Sequence, residues 1–178
     1  MHKNKLTYLI LLLLCTLTSS AQTGFKAQII TGLSFSQVDG DHFAGYNKLG
    51  ANFGLGIYAP IKEGWDLGFE FTYVQKGSKL RVDPDDPNPR IFILQYDYLE
   101  VPAVLIRSWG KVRADFGVAA GVNVRSLMDE GAGFKETGIN RSEISYLLGA
   151  AYTFSDRSVI ALRHQQSLFR VGNNYPNG

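Results

Sequence analysis

Trp65-Asp66-Leu67-Gly68-Phe69-Glu70-Phe71-Thr72-Tyr73 alternates without a fault: every odd position is large and apolar, every even one charged, small or polar. Side chains repeat with a period of two in a strand and 3.6 in a helix, so this stretch predicts a β-strand with one greasy face and one polar face. The pattern recurs on both sides of it. Upstream, Leu49, Ala51, Phe53, Leu55 and Ile57 oppose Lys48, Gly50, Asn52, Gly54 and Gly56. Before them, Phe25, Ala27, Ile29, Thr31, Leu33 and Phe35 oppose Lys26, Gln28, Ile30, Gly32 and Ser34. Downstream, Val112, Ala114, Phe116, Val118, Ala120, Val122 and Val124 form one apolar row, and Ile144, Tyr146, Leu148, Ala150, Tyr152 and Phe154 another. Residues 159–169 make a weaker strand.

One segment breaks phase. Phe92, Leu94, Tyr96 and Tyr98 share one parity, whereas Leu99, Val101, Ala103 and Leu105 share the other. A bulge near Tyr98-Leu99, adding one residue and reversing the facing of all that follows, is the expectation, with Pro102 a further irregularity because it cannot donate to a ladder.

The links between segments also alternate. Residues 37–47, 76–90 and 126–141 form long polar connections, while 60–64, 108–110 and 155–157 form short ones. An antiparallel up-and-down meander with long loops at one end and tight turns at the other follows, the asymmetry of transmembrane barrels. The fold class read from the sequence is therefore all-β, an antiparallel up-and-down transmembrane β-barrel of the eight-stranded type. Seven strands are counted, and 171–178 reads as a loop, so the last strand is expected to be missing and the first and seventh strands not to close.

Alternation alone leaves open which face looks outward. Gly32, Gly50, Gly54, Gly56, Gly68, Gly117, Gly121 and Gly149 all lie on the polar face. Small residues suit the cramped lumen of a narrow barrel and would only weaken a solvated outer face. The apolar face is too bulky to fit inside, and strands of about 10–11 residues at ~40° tilt span about 25–28 Å, the height of an apolar membrane band. Reversing the facing would put Asp66, Glu70, Arg113 and Asp115 in lipid, where basic residues at mid-membrane cost about 2–4 kcal/mol each. The greasy face is expected to point out. Phe35, Trp65, Tyr73, Trp109, Tyr152 and Phe154, near strand ends, are the expected interfacial girdles.

The 178 residues hold 18 Lys+Arg and 16 Asp+Glu. Residues 1–21 run from Lys3 and Lys5 through the apolar Leu6–Leu14 stretch to Ser19-Ser20-Ala21, the order of a secretory signal cleaved before Gln22. Leu14 ahead of Cys15 disfavours a lipoprotein site, which wants a small residue there. The expected mature domain, 22–178, then has 16 charges of each sign and no cysteine, which excludes polyanion binding, disulfides and thiol chemistry. Nothing after the leader approaches the roughly 18 apolar residues of a membrane helix. Export to the bacterial outer membrane is the expected localisation, with outer-membrane lipid and the barrel-assembly machinery as partners and no nucleic acid.

Several phrases resemble the PorT-like outer-membrane β-barrel family, porin-like small barrels common in Bacteroidetes: Gly32-Leu-Ser-Phe-Ser-Gln-Val-Asp-Gly-Asp41, Gly45-Tyr-Asn-Lys-Leu-Gly50, Glu70-Phe-Thr-Tyr-Val-Gln-Lys-Gly-Ser78 and Tyr98-Leu-Glu-Val-Pro102. The resemblance implies an outer-membrane barrel. It departs from the family at the end of the chain, where the family usually carries a strand with a terminal aromatic.

On the polar face, Lys26, Lys48, Asp66, Glu70, Glu100, Arg113, Asp115 and Arg163 are expected to meet in the lumen and compensate one another, plugging it. No catalytic, cofactor-binding or metal residue is assigned. His42 and His164, the latter with Ser167 nearby, lack a third group to orient them for nucleophilic catalysis. Asp39 and Asp41, or Asp83, Asp85 and Asp86 among Pro84, Pro87 and Pro89, do not match the spacing of a calcium loop. The glycines sit at strand period and form no phosphate-binding loop. A structural, loop-presenting outer-membrane barrel with a mostly plugged lumen is the expected function. The alternatives are a narrow channel for ions or small solutes, a soluble secreted barrel carrying an apolar ligand, and a lipid-modifying enzyme.

Overall fold

A computed structural model describes residues 24–37, 48–80, 92–136 and 142–169. The leader, the loops that carry His42 and the aspartates at 39, 41, 83, 85 and 86, and the stretch 171–178 lie outside these. The strands are β1 (Lys26–Ser36), β2 (Lys48–Lys62), β3 (Trp65–Lys79), β4 (Ile93–Trp109), β5 (Val112–Asp129), β6 (Lys135–Glu136), β7 (Ser142–Ser155) and β8 (Ser158–Ser167). They form one antiparallel sheet in the order β1-β2-β3-β4-β5-β7-β8, with the two-residue β6 folded back on β5. This is the up-and-down meander expected, and each neighbour pair is consecutive in sequence apart from the β6 detour. Two-residue turns join β2 to β3, β4 to β5 and β7 to β8, and Gly64 and Gly110 take the left-handed φ values of +71° and +61° that the first two need. No pairing joins β1 to β8 among the described residues.

The strands run longer than the apolar alternation. β3 continues to Lys79 and β5 to Asp129, into stretches expected to be loop.

The sheet is strongly curled. β3 and β8 stand four strand spacings apart in the order, about 19 Å along a flat sheet at ~4.8 Å per spacing. Yet Arg163 on β8 places its guanidinium 2.7 Å from the Glu70 carboxylate on β3. Only a curled sheet allows that reach, and the concave side of the curl carries the polar face. Glu70 and Glu100 are each 2% exposed. On the convex side Phe69 is 56% and Phe116 45% exposed. The facing expected from the sequence is therefore the one observed.

The bulge, however, lies on the neighbouring strand. Along β4 the residues Leu94, Tyr96, Tyr98, Glu100, Pro102, Val104 and Ile106 are all buried, so even positions face inward from end to end. The register shifts on β5 instead: Asp97 pairs with Arg125 and Tyr98 with Asn123, leaving Val124 as the extra residue. Inward facing on β5 accordingly passes from odd positions such as Asp115, Ala119 and Gly121 to even ones such as Ser126. Apolar residues occupy both parities of β4 because both its faces are covered or greasy, and alternation cannot report facing in such a strand.

Two apolar clusters fill the concave side between the charges. Tyr58, Val104, Ile106, Ala119 and Leu147 form one, and Leu94, Tyr96 and Tyr98, packed with Phe92 and Met128, form the other. Glycines make room for the first. Tyr58 stands opposite Gly68 in the β2–β3 ladder, and a Cβ on Gly68 would collide with the Tyr58 ring and crowd Val104 Cγ2 at 2.9 Å. Gly68→Ala is expected to lower stability by about 1–3 kcal/mol through overpacking, measured as a shift in the urea midpoint of the refolded protein. Truncating the ring in Tyr58→Ala/Gly68→Ala should remove the added penalty of the alanine at 68, a coupling that a double-mutant cycle reads directly.

Candidate functional site

The concave face carries the charge chemistry, and the alternation of six strands places it there. Three ionic groups succeed one another along it. Nearest the short turns, Lys26 Nζ lies 3.3 Å from Asp66 Oδ2. In the middle, Arg163 grips two acids: Nη1 to Glu70 Oε2 at 2.7 Å, Nη2 to Glu70 Oε1 at 3.0 Å and Nε to Asp115 Oδ2 at 2.9 Å. The Tyr58 hydroxyl donates to Glu70 Oε1 at 2.8 Å. Toward the long loops, Lys76 Nζ sits 2.5 Å from Glu100 Oε1 and 3.0 Å from Glu143 Oε1. Gln165 Nε2 donates to Glu100 Oε2 at 3.0 Å and to Ser145 Oγ at 2.7 Å, and Lys76 lies over the Tyr98 ring.

Of the residues expected in the lumen, the structure brings Glu70, Asp115 and Arg163 into one group, Lys26 and Asp66 into another, and Glu100 into a third. Arg113 makes no ion pair among the described residues, and its Nε is buried without a partner. Lys48 belongs elsewhere. Its Nζ donates to Gln95 Oε1 at 3.2 Å at the loop-end rim. There burial lowers its pKa, Asp97 opposes that shift and Lys79 adds to it.

Lys76, Glu143 and Gln165 were missed by the sequence reading. Lys76 lies in a stretch expected to be loop, and the expected row on the strand holding Glu143 starts at Ile144, two residues after the strand itself. Extending each alternation outward would have found both, since Lys76 shares parity with Glu70 and Glu143 with Ser145 and Leu147.

Charge also lies along the outward row of β4, with Asp97 itself only 1% exposed. By the alternation of β4, Asp97 follows the exposed Leu99 and Val101, and Arg125 Nε meets its Oδ2 at 2.6 Å. Arg107 marks the other end of the same row. Between them Leu99, Val101, Ala103 and Leu105 form an uncharged run whose ten residue steps, at ~3.3 Å and ~40° tilt, span about 25 Å. Of the aromatics expected as girdles, Tyr73 lies tilted against Phe53 with ring centres 4.8 Å apart and Trp65 stands edge-on to Phe116 at 6.5 Å.

His164 and Ser167 do not meet. They lie on opposite faces of β8: His164 lies by the Tyr146 ring, while Ser167 Oγ donates to Phe169 O at 2.8 Å. Among the described residues no three His, Cys, Asp or Glu side chains converge as metal ligands. The concave face holds paired charge, a tyrosine–carboxylate contact and amide bridges.

Set against family models, curated proteins and solved structures, the chain has no match.

Removing Arg163 leaves Glu70 and Asp115 buried without their cation. Arg163→Ala is expected to cost about 3–5 kcal/mol, the range for breaking one side of a buried ion pair. Combining it with Glu70→Gln and Asp115→Asn should recover much of that loss. Urea midpoints of the three-residue and single variants make the comparison.

Proposed function

We propose that this chain is a small outer-membrane β-barrel protein of the PorT-like kind, exported by its leader, whose lumen is closed by ion pairs and whose role is structural, holding the long loops at one surface. One observation carries the reading: large apolar side chains cover the convex face while carboxylates and cations are buried on the concave one. Water as the surrounding solvent would make that arrangement costly twice over, exposing apolar area and burying charge. Hydrocarbon outside reverses both terms. The uncharged run of about 25 Å between Arg107 and Asp97 matches the thickness such a band needs. A secreted carrier of an apolar ligand calls for the opposite facing, with Phe69 and Phe116 turned inward. The narrow channel remains the neighbouring reading, since its lining residues are the same.

Three groups of ion pairs and two apolar clusters occupy the concave side, which favours the plug over the channel. The protein is expected in the detergent-soluble membrane fraction, with a gel mobility that changes on boiling. Recovery in the soluble periplasm without detergent would overturn the membrane reading. In planar bilayers the unaltered protein should show no steady conductance, and Lys76→Ala, which removes the cation between Glu100 and Glu143, should raise the frequency of openings. Steady conductance by the unaltered protein, abolished by Glu70→Ala, would establish the channel instead.

A further inference from the structure

We propose that the convex face at the short-turn end binds the phosphate headgroup of an anionic phospholipid between Lys62 and Arg107, above Trp65 and Trp109. The inference rests on the membrane reading and assigns a lipid class to one end of it.

A register shift builds the site. Pro60 pairs with Asp66 and Lys62 with Trp65, so Ile61 is an extra residue in β2. Without it Lys62 would share the inward parity of Tyr58; with it the Lys62 ammonium lies 5.1 Å from the Trp65 ring centre. Trp65 stands directly across the ladder from Arg107. The Arg107 guanidinium carbon sits 5.3 Å from the Trp65 ring and 5.5 Å from the Trp109 ring. Two cations and two indoles thus share one outward patch, with Phe116 against Trp65 beneath them.

Neither cation has a carboxylate within ion-pair distance among the described residues. Asp66 is held on the other face by Lys26, and Glu63 offers Arg107 Nη1 only its backbone oxygen, at 3.0 Å. A guanidinium has five N–H donors in a planar fork suited to phosphate oxygens, so most of its donors stay available. The opposite end of the apolar run is built differently, for there the outward cation Arg125 is matched by Asp97. Indole rings favour the boundary between hydrocarbon and water, which places the two cations at the depth of lipid phosphates.

The chain's 2 tryptophans both lie in this patch, so tryptophan fluorescence reports on it alone. The protein is refolded into vesicles of mixed phosphatidylglycerol and phosphatidylcholine at equal mole fraction, with one or the other lipid brominated. Stronger quenching by brominated phosphatidylglycerol is expected. The enrichment derived from it should fall about fivefold for each cation removed, in Lys62→Gln and in Arg107→Gln, and stay unchanged in Arg125→Gln. Equal quenching by the two lipids after insertion, or an enrichment that survives both substitutions, overturns the headgroup site and leaves the membrane reading intact. Protein that inserts into neither vesicle, seen as unquenched tryptophans and heat-independent gel mobility, overturns both. If Arg107→Gln does not insert, Lys62→Gln decides the matter, since the Lys62 ammonium bridges to no acid in the sheet.

Discussion

Arg163 ties three strands together across the concave face, and the rest of the architecture is arranged so that it can. Its guanidinium holds Glu70 of β3 and Asp115 of β5 from β8. Flattening the sheet would separate the partners and leave two carboxylates on a partly apolar surface with no cation. Curl and ion pairs therefore stand or fall together: the curl brings the charges within reach, and the charges make any flatter sheet costly. The second group repeats the arrangement one level along, with Lys76 of β3 joined to Glu143 of β7 and Gln165 of β8 joined to Glu100 of β4. Each group holds one cation that reaches two acids, and a neutral donor adds a further hydrogen bond to one of them, Tyr58 to Glu70 and Gln165 to Glu100.

Three register shifts show how the apolar face is brought to an end. Ile61 in β2, Val124 in β5 and Phe154 in β7 are each the extra residue of a bulge. All lie near the limits of the uncharged run. A bulge reverses facing, so the residue after it appears on the side its parity would otherwise deny it. In β2 this puts Lys62 beside Trp65; in β5 it puts Arg125 beside Asp97. A polar border is thereby set without interrupting the alternation that the middle of each strand requires.

The strands, their antiparallel order and the outward facing of the bulky side chains were all legible in the sequence, because one strict period carries all three. Glu70, Asp115 and Arg163 were legible as interior residues for the same reason, but not as a single group: which strands meet across a curled sheet depends on its curvature, and period-two alternation contains no measure of that. β4 was misread where both parities turn apolar. Leu94, Tyr96 and Tyr98 look like membrane-facing residues by composition, and only their packing against Met128 and Phe92 shows them to be filling the interior. The same misreading hid Asp97, whose outward position follows once β4 is allowed to run unbulged.

The open order of the sheet sharpens what the membrane reading requires. β1 and β8 each have one long edge without a ladder among the described residues. In water such edges are tolerated, and charge or brevity usually protects them. In hydrocarbon each unpaired backbone group costs several kcal/mol, so the two edges have to be joined, to each other or through a further strand. The concave face is already prepared for closure at one of these edges, since Arg163 and Gln165 of β8 are engaged inward with β3, β4 and β5 rather than outward. β1 is less committed. Its one charged inward contact is the Lys26–Asp66 pair, whose lysine is 60% exposed. Charged contacts thus tie β8 into the curl more than β1, so on the membrane reading the β1 edge is the one left to be brought into place.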